Sequence, residues 1–248
     1  MSSLYKKNEL YFSLAWIGAY VVLSSLAMDG SKLLGMTAAV EAPLHMGFAL
    51  AVLGWVRKNK LWEKYGLCPF GGKPKDFLYF IPLILIASCN IWNGVTLNDS
   101  VMGTVLYIVS MLCVGFIEEV IFRGFLFKSL TSRFKTAVAV SSITFGMGHL
   151  VNLLNGRDFV STLLQVCYAI ALGFLFTVIF CKGGSLWPCI IVHGIINASS
   201  IFAVQPDQPV WKAVSGIVLC VVSVGYTLWI LKIRENQKPM GDIDMGVR

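Results

Sequence analysis

Hydrophobic positions along the chain fall into eight runs, at 10–28, 34–56, 77–96, 102–127, 136–154, 159–181, 185–204 and 211–231. Each is long enough, or nearly so, to cross a bilayer at about 20 residues per span. The pattern predicts an all-α polytopic membrane protein with about eight transmembrane helices, forming a single integral membrane domain over 1–248. No internal repeat, heptad series, low-complexity segment or soluble domain interrupts it. The first run carries a small-x-small triplet, Ser25-Leu26-Ala27, but is long for a cleaved signal peptide and reads as a retained helix.

The connections carry an independent signal. Lys6 and Lys7 precede the first run. Arg57, Lys58, Lys60, Lys64, Lys73 and Lys75 lie between the second and third, and Lys128, Arg133 and Lys135 between the fourth and fifth. Lys182 follows the sixth, and Lys232, Arg234, Lys238 and Arg248 follow the eighth, whereas the other side receives only Lys32, Arg157 and Lys212. By the positive-inside rule both termini are cytoplasmic (N-in/C-in). The connection 57–76, with Trp62, Tyr65, Pro69 and a Gly71-Gly72 pair among lysines, is expected to lie along the cytoplasmic interface with its rings at headgroup depth.

Composition agrees. Of the 248 residues 56% are hydrophobic and 13% charged, and the mean hydropathy is +0.74. The formal charge of +7 is borne by residues flanking the apolar runs, so it signals topology and headgroup contact with the lipid bilayer. No basic face with interleaved aromatics is present, and no nucleic-acid partner is expected. Seven cysteines, mostly within the runs and without a C-x-x-C, read as small buried apolar residues.

The polar residues inside the runs are few. They are Glu41 and His45; Asn90 and Asn93; Glu118, Glu119 and Arg123; His149 and Asn152; Gln165; and His193 and Asn197. Each acidic or basic residue at a helix centre costs roughly 2.5–3.5 kcal/mol even on the mildest insertion scales, so an adjacent pair such as Glu118-Glu119 points to use. At about 1.5 Å per residue, Glu118 lies about 15 Å from the level of Lys128, His149 about 21 Å from that of Lys135, and His193 about 16 Å from that of Lys182. An acid and two imidazoles thus come to similar depth on three helices, and sharing one cavity is their economical arrangement.

Spacing refines this. Glu119 and Arg123 are i,i+4 and pair on one face, while Glu118 is rotated by about 100° and left for another task. His193 and Asn197 project together at i,i+4, as do Phe145 and His149, with Gly146 and Gly148 thinning that helix for a close neighbour. Glu118, His149 and His193 form a donor set of the zinc type, with a water in the fourth position. Alternatively Glu118 is a general base on water, and the histidines with Asn197 stabilise an oxyanion. Either chemistry is hydrolysis of an acyl bond within the membrane. Against these stand plainer readings. A lone intramembrane histidine is more often a packing residue, Glu119–Arg123 taken alone reads as a structural ion pair, and Glu41 with His45 is a second acid–imidazole pair without an assigned task. H-E-x-x-H is absent, so a metal site must be assembled from separate helices.

The three motifs, Glu118-Glu119…Arg123, Phe145…His149 and His193…Asn197, occur in this order within residues 100–200. The text around them includes Val120-Ile121-Phe122-Arg123-Gly124, and Leu186-Trp187-Pro188 running into His193. On these residues the chain resembles the CPBP intramembrane proteases, also called the CAAX protease and bacteriocin-processing or Abi family. The resemblance implies an eight-span helical fold with a cavity open toward the cytoplasm. It also implies water activation by Glu118, and a site completed by Glu119, His149, His193 and Asn197, with Arg123 and Phe145 orienting it. Zinc held by Glu118, His149 and His193 is one form of the mechanism and a metal-free glutamate–histidine pair the other. The implied substrates are prenylated CAAX proteins, or small peptides of bacteriocin maturation, immunity and signalling. Short termini and compact loops resemble those of a bacterial member in the plasma membrane.

Two other classes fit the same residues. A non-enzymatic immunity or scaffold protein would bind a peptide or partner and tolerate Glu118→Ala in cells. A proton-coupled transporter would carry flux in liposomes and release no cleaved product.

Overall fold

The structure, a computed structural model, describes residues 1–69, 80–204 and 209–236. Among the described residues the fold is all-helical, apart from an isolated antiparallel bridge between Val95 and Ala203.

A short α1 (Ser2–Lys7) leads into α2 (Glu9–Leu34). Asn8 joins them, its side chain accepting from Tyr11 N at 3.0 Å. An N-cap of this kind satisfies one of the donors that a helix start leaves open. Gly35, at φ 64°, ends α2 in the left-handed region that glycine enters without a Cβ penalty. Then come α3 (Glu41–Lys58), α4 (Ile81–Ala87) and α5 (Val101–Glu119), the last capped by Ser100 Oγ on Gly103 N. Without a break α5 passes through a π-helix, Val120–Leu126, into α6 (Phe127–Ser129). Next are α7 (Phe134–Gly148), α8 (Val151–Leu154) and α9 (Phe159–Gly183), which Asp158 caps. The described residues end in α10 (Trp187–Ser199) and α11 (Pro209–Asn236).

Among the described residues five segments are long and apolar enough to cross a membrane: Glu9–Leu34, Val101–Ser129, Thr131–Leu154, Phe159–Gly183 and Ala213–Lys232. The other three expected spans are shorter. The run 34–56 loses its start to a turn, and α3 begins only at Glu41. The run 185–204 becomes the 13 residues of α10 followed by a 3-10 turn, Ser200–Phe202. Of the run 77–96, residues 77–79 lie outside the described residues. The rest is the seven-residue α4 and a 3-10 turn, Cys89–Ile91. Its polar residues explain the break. Asn90 Nδ2 donates to Ile196 O and, at 3.0 Å, to Ser199 Oγ, so the unwound backbone is fastened to the end of α10. Irregular backbone is tolerated at membrane depth where protein covers it.

The pillar of the bundle is α5 with its π segment, all seven residues of which are buried. Helix α10 packs on α5 from one side and α3 from another, α2 lies against the π segment, and α7 and α11 flank α9. At the basic end Phe12, Trp16, Trp55 and Tyr65 surround Phe125, with ring centroids 4.8–6.2 Å away. Tyr65 is therefore a buried core residue there, where headgroup depth was expected, because its ring fills the space beside Gly124. In the same connection Lys64 Nζ donates to Glu9 Oε1 at 2.6 Å and to Tyr5 Oη at 2.9 Å, tying it to the first two helices. Gly71, Gly72, Lys73 and Lys75 lie outside the described residues, as do Lys238 and Arg248. All seven cysteines are free thiols; Cys189 is buried, Cys167 is exposed and the rest are half-buried.

Candidate active site

Close helix contact builds the site. Gly115 on α5 faces Gly194 on α10 so tightly that a Cβ on Gly115 would lie 2.6 Å from Gly194 N. Only bare backbone allows this approach. One turn along α5 and one residue back on α10, it sets Glu118 and Glu119 against His193. Gly146 plays the same part between α7 and α9, where a Cβ would meet Ile170 N and Val166 O at 3.0 Å, whereas Gly148 faces open space. Of the two thinning glycines read from the sequence, Gly146 admits the neighbour.

The expected Glu119–Arg123 pair forms, with Arg123 Nη1 3.1 Å from Glu119 Oε1 and both side chains 0% exposed. Phe145 explains how so buried a guanidinium is accommodated. Its ring lies 4.1 Å from Arg123 Cζ, and Phe176 adds a second face at 5.8 Å. A cation over an aromatic face is attracted by the ring quadrupole, most strongly when desolvated.

Glu119 Oε1, already paired with Arg123, also accepts from His193 Nδ1 at 2.8 Å. That bond fixes the imidazole tautomer and turns Nε2 toward Glu118, whose Oε2 lies 3.3 Å away. The contact lacks hydrogen-bond alignment, and Glu118 Oε2 is buried without a partner. The other carboxylate oxygen, Oε1, accepts from Tyr20 Oη at 2.7 Å. The result is a polar line of Tyr20, Glu118, His193, Glu119 and Arg123 drawn from α2, α5, the π segment and α10.

His149 caps the end of α7. Gln165 Nε2 lies 3.3 Å from its Nδ1, and Gln165 Oε1 accepts from Arg157 Nη1 and Asn152 Nδ2, both at 2.9 Å. Arginine only donates, so the Gln165 oxygen must face Arg157 and its amide nitrogen must face His149. His149 Nδ1 is then the acceptor and Nε2 carries the proton. Phe145 packs edge-on against both imidazoles, its centroid 5.6 Å from His149 and 5.5 Å from His193.

A cavity of about 790 Å³ joins these groups. Its lining includes Tyr20, Glu118, His149, His193 and Asn197. Glu118, His149 and His193, expected to share one cavity, thus line the same chamber. The same lining includes Glu41 and His45, but these do not pair. His45 instead bonds Ser24 Oγ at 3.0 Å and Ser110 Oγ at 2.8 Å, while one buried Glu41 oxygen stays without a partner.

The donors do not fit a zinc centre as arranged. Glu119 and Glu118 face the two ring nitrogens of His193. Among the described residues no group of three or more His, Cys, Asp or Glu side chains is placed to hold a metal ion. Tyr20 has almost no sequence signal, since a tyrosine in an apolar run is ordinary. Its i,i+4 relation to Ser24 on one face is the only hint.

Residues 100–199 match the family described as type II CAAX prenyl endopeptidase Rce1-like. This segment holds all three motifs, and its match accords with the CAAX-protease resemblance drawn from them. No curated protein and no solved structure matches the chain.

Proposed function

We propose, from the Rce1-like match and the polar line through His193, that the chain is an intramembrane endopeptidase working without a metal. Its substrate is a CAAX-type prenylated protein or a small bacteriocin or signalling peptide. The observation that carries this reading is the Arg123–Glu119–His193–Glu118 arrangement, in which an ion pair orients an imidazole against a second carboxylate that keeps one oxygen unpartnered. In this reading Glu118 Oε2 takes a proton from water, and the hydroxide attacks the peptide carbonyl carbon. His149 Nε2–H and the Asn197 amide receive the oxyanion. As the C–N bond breaks, the proton passes from Glu118, through His193 Nε2, to the leaving nitrogen. Arg123 and Glu119 keep the ring in place throughout, a task met elsewhere by carboxylates behind catalytic histidines.

The eight-span, N-in/C-in arrangement is part of the same proposal, with α3, α4 and α10 as the short members, and so is residence in a bacterial plasma membrane. The basic connections support the orientation.

The test is hydrolysis of a fluorogenic farnesylated CAAX peptide by purified protein in detergent. Glu118→Gln is expected to lower the rate by about 10²-fold or more, the range of a lost general base. A Glu118→Gln protein with wild-type cleavage would remove the proposed base.

A further inference from the structure

We infer that Tyr20, on α2 and outside the segment matched to the CAAX proteases, is a positioning residue for the reaction proposed above. It binds one oxygen of Glu118 so that the other faces the water.

Tyr20 Oη donates to Glu118 Oε1 at 2.7 Å, the usual length of a well-formed hydroxyl–oxygen bond. A carboxylate turns easily about its last torsion, which is broad and roughly two-fold. Once Oε1 is held, the plane is set and Oε2 is left, buried and without a hydrogen-bond partner, 3.3 Å from His193 Nε2. The two oxygens are therefore not equivalent, and Tyr20 decides which one is free.

Tyr20 is itself held. It is buried against Phe48 on α3, with ring centroids 5.9 Å apart, and against His45 at 6.1 Å. His45 bonds Ser24 on α2 through Nε2 and Ser110 on α5 through Nδ1, so one buried imidazole pins three helices at this level. Ser24 is one turn from Tyr20, and Ser110 two turns from Glu118. This gives His45 a task the sequence left open: it keeps the helix that carries Tyr20 in register with the helix that carries Glu118.

The inference rests on the proposed hydrolysis, and two measurements separate its failure from that of the hydrolysis. The first uses the farnesylated CAAX peptide with wild type, Glu118→Gln and Tyr20→Phe. Phenylalanine keeps the ring and removes only the hydroxyl. Loss of a hydrogen bond to a charged group predicts a kcat about 10- to 100-fold lower, with KM within about twofold, because the substrate's own contacts are intact. If wild type cleaves, Glu118→Gln does not, and Tyr20→Phe keeps wild-type kcat, the positioning role is overturned and the protease stands. A raised KM at unchanged kcat overturns it as well, by making Tyr20 a substrate contact. The second measurement is a double-mutant cycle of Tyr20→Phe and Glu118→Ala on unfolding in detergent, which needs no substrate and removes the acceptor. Non-additive losses are expected of a bonded pair. Additive losses overturn the proposal even if no peptide is cleaved.

Discussion

Adding a single methyl group at Gly115 tests the architecture of the site most directly. In Gly115→Ala the new Cβ would sit 2.6 Å from Gly194 N, 2.8 Å from Gly194 Cα and 3.3 Å from the His193 carbonyl carbon. All three are backbone atoms, so no rotamer relieves the clash. Ordinary contact begins near 3.4 Å, so α10 must retreat from α5 by about 0.8 Å, and overpacking of this kind costs about 1–3 kcal/mol. The same retreat stretches the His193 Nδ1–Glu119 Oε1 bond from 2.8 Å toward about 3.6 Å, beyond hydrogen-bond range. A misplacement of this size costs up to about 10²-fold in rate. Two assays follow, unfolding in detergent and kcat on the farnesylated CAAX peptide, with Gly18→Ala as the control. Gly18 has nothing within 4 Å of its would-be Cβ, and alanine there is expected to be neutral or stabilising. A Gly115→Ala protein with the kcat and stability of the Gly18→Ala control would refute the claim that bare backbone at this crossing sets the site.

Three further outcomes are expected. Glu119→Gln leaves a buried guanidinium without its carboxylate and should cost about 3–5 kcal/mol of stability, read from unfolding in detergent; replacing Arg123 as well, by a neutral residue of similar length, should recover part of that loss. Phe145→Leu keeps an apolar side chain but removes the face on Arg123, and should destabilise by about 1–2 kcal/mol on the same assay beyond a matched Phe→Leu change at Phe127, which touches no charge among the site residues. Because no three donors converge among the described residues, dialysis against a chelator should leave peptide cleavage unchanged; loss of activity that zinc restores would show that the helices rearrange around a metal.

The charged residues were the legible part of this molecule. An ion inside an apolar run is conspicuous because it is costly, and Glu118, Glu119, Arg123, His149 and His193 all announced themselves in that way. Their i,i+4 spacings found the Arg123 pair and the Phe145–His149 face. Uncharged features were harder to read. Tyr20 acts through one hydroxyl on an otherwise apolar ring. Apart from Arg123 the π segment is apolar, so no periodicity marks its wider turn. The break after α4 was hidden because mean hydropathy over 77–96 is high, while the deciding groups are a few side chains such as Asn90 that bond to a helix about a hundred residues away. Glu41 and His45 have pairing distance in sequence, but two serines on other helices offered the imidazole better-placed partners. Tertiary competition of this kind has no local trace.

The shortness of α10 also bears on where the water comes from. Its 13 residues span only about 20 Å, against a hydrocarbon layer of about 30 Å. A helix that falls short of the bilayer is accommodated by local thinning of the lipid around it. In the proposed eight-span arrangement the helix under this mismatch is the one bearing His193 and Asn197, so the headgroup region would be drawn inward toward the residues proposed to hydrolyse a bond. The same dimple would lower the distance a lipid-anchored peptide has to descend from its usual depth at the surface.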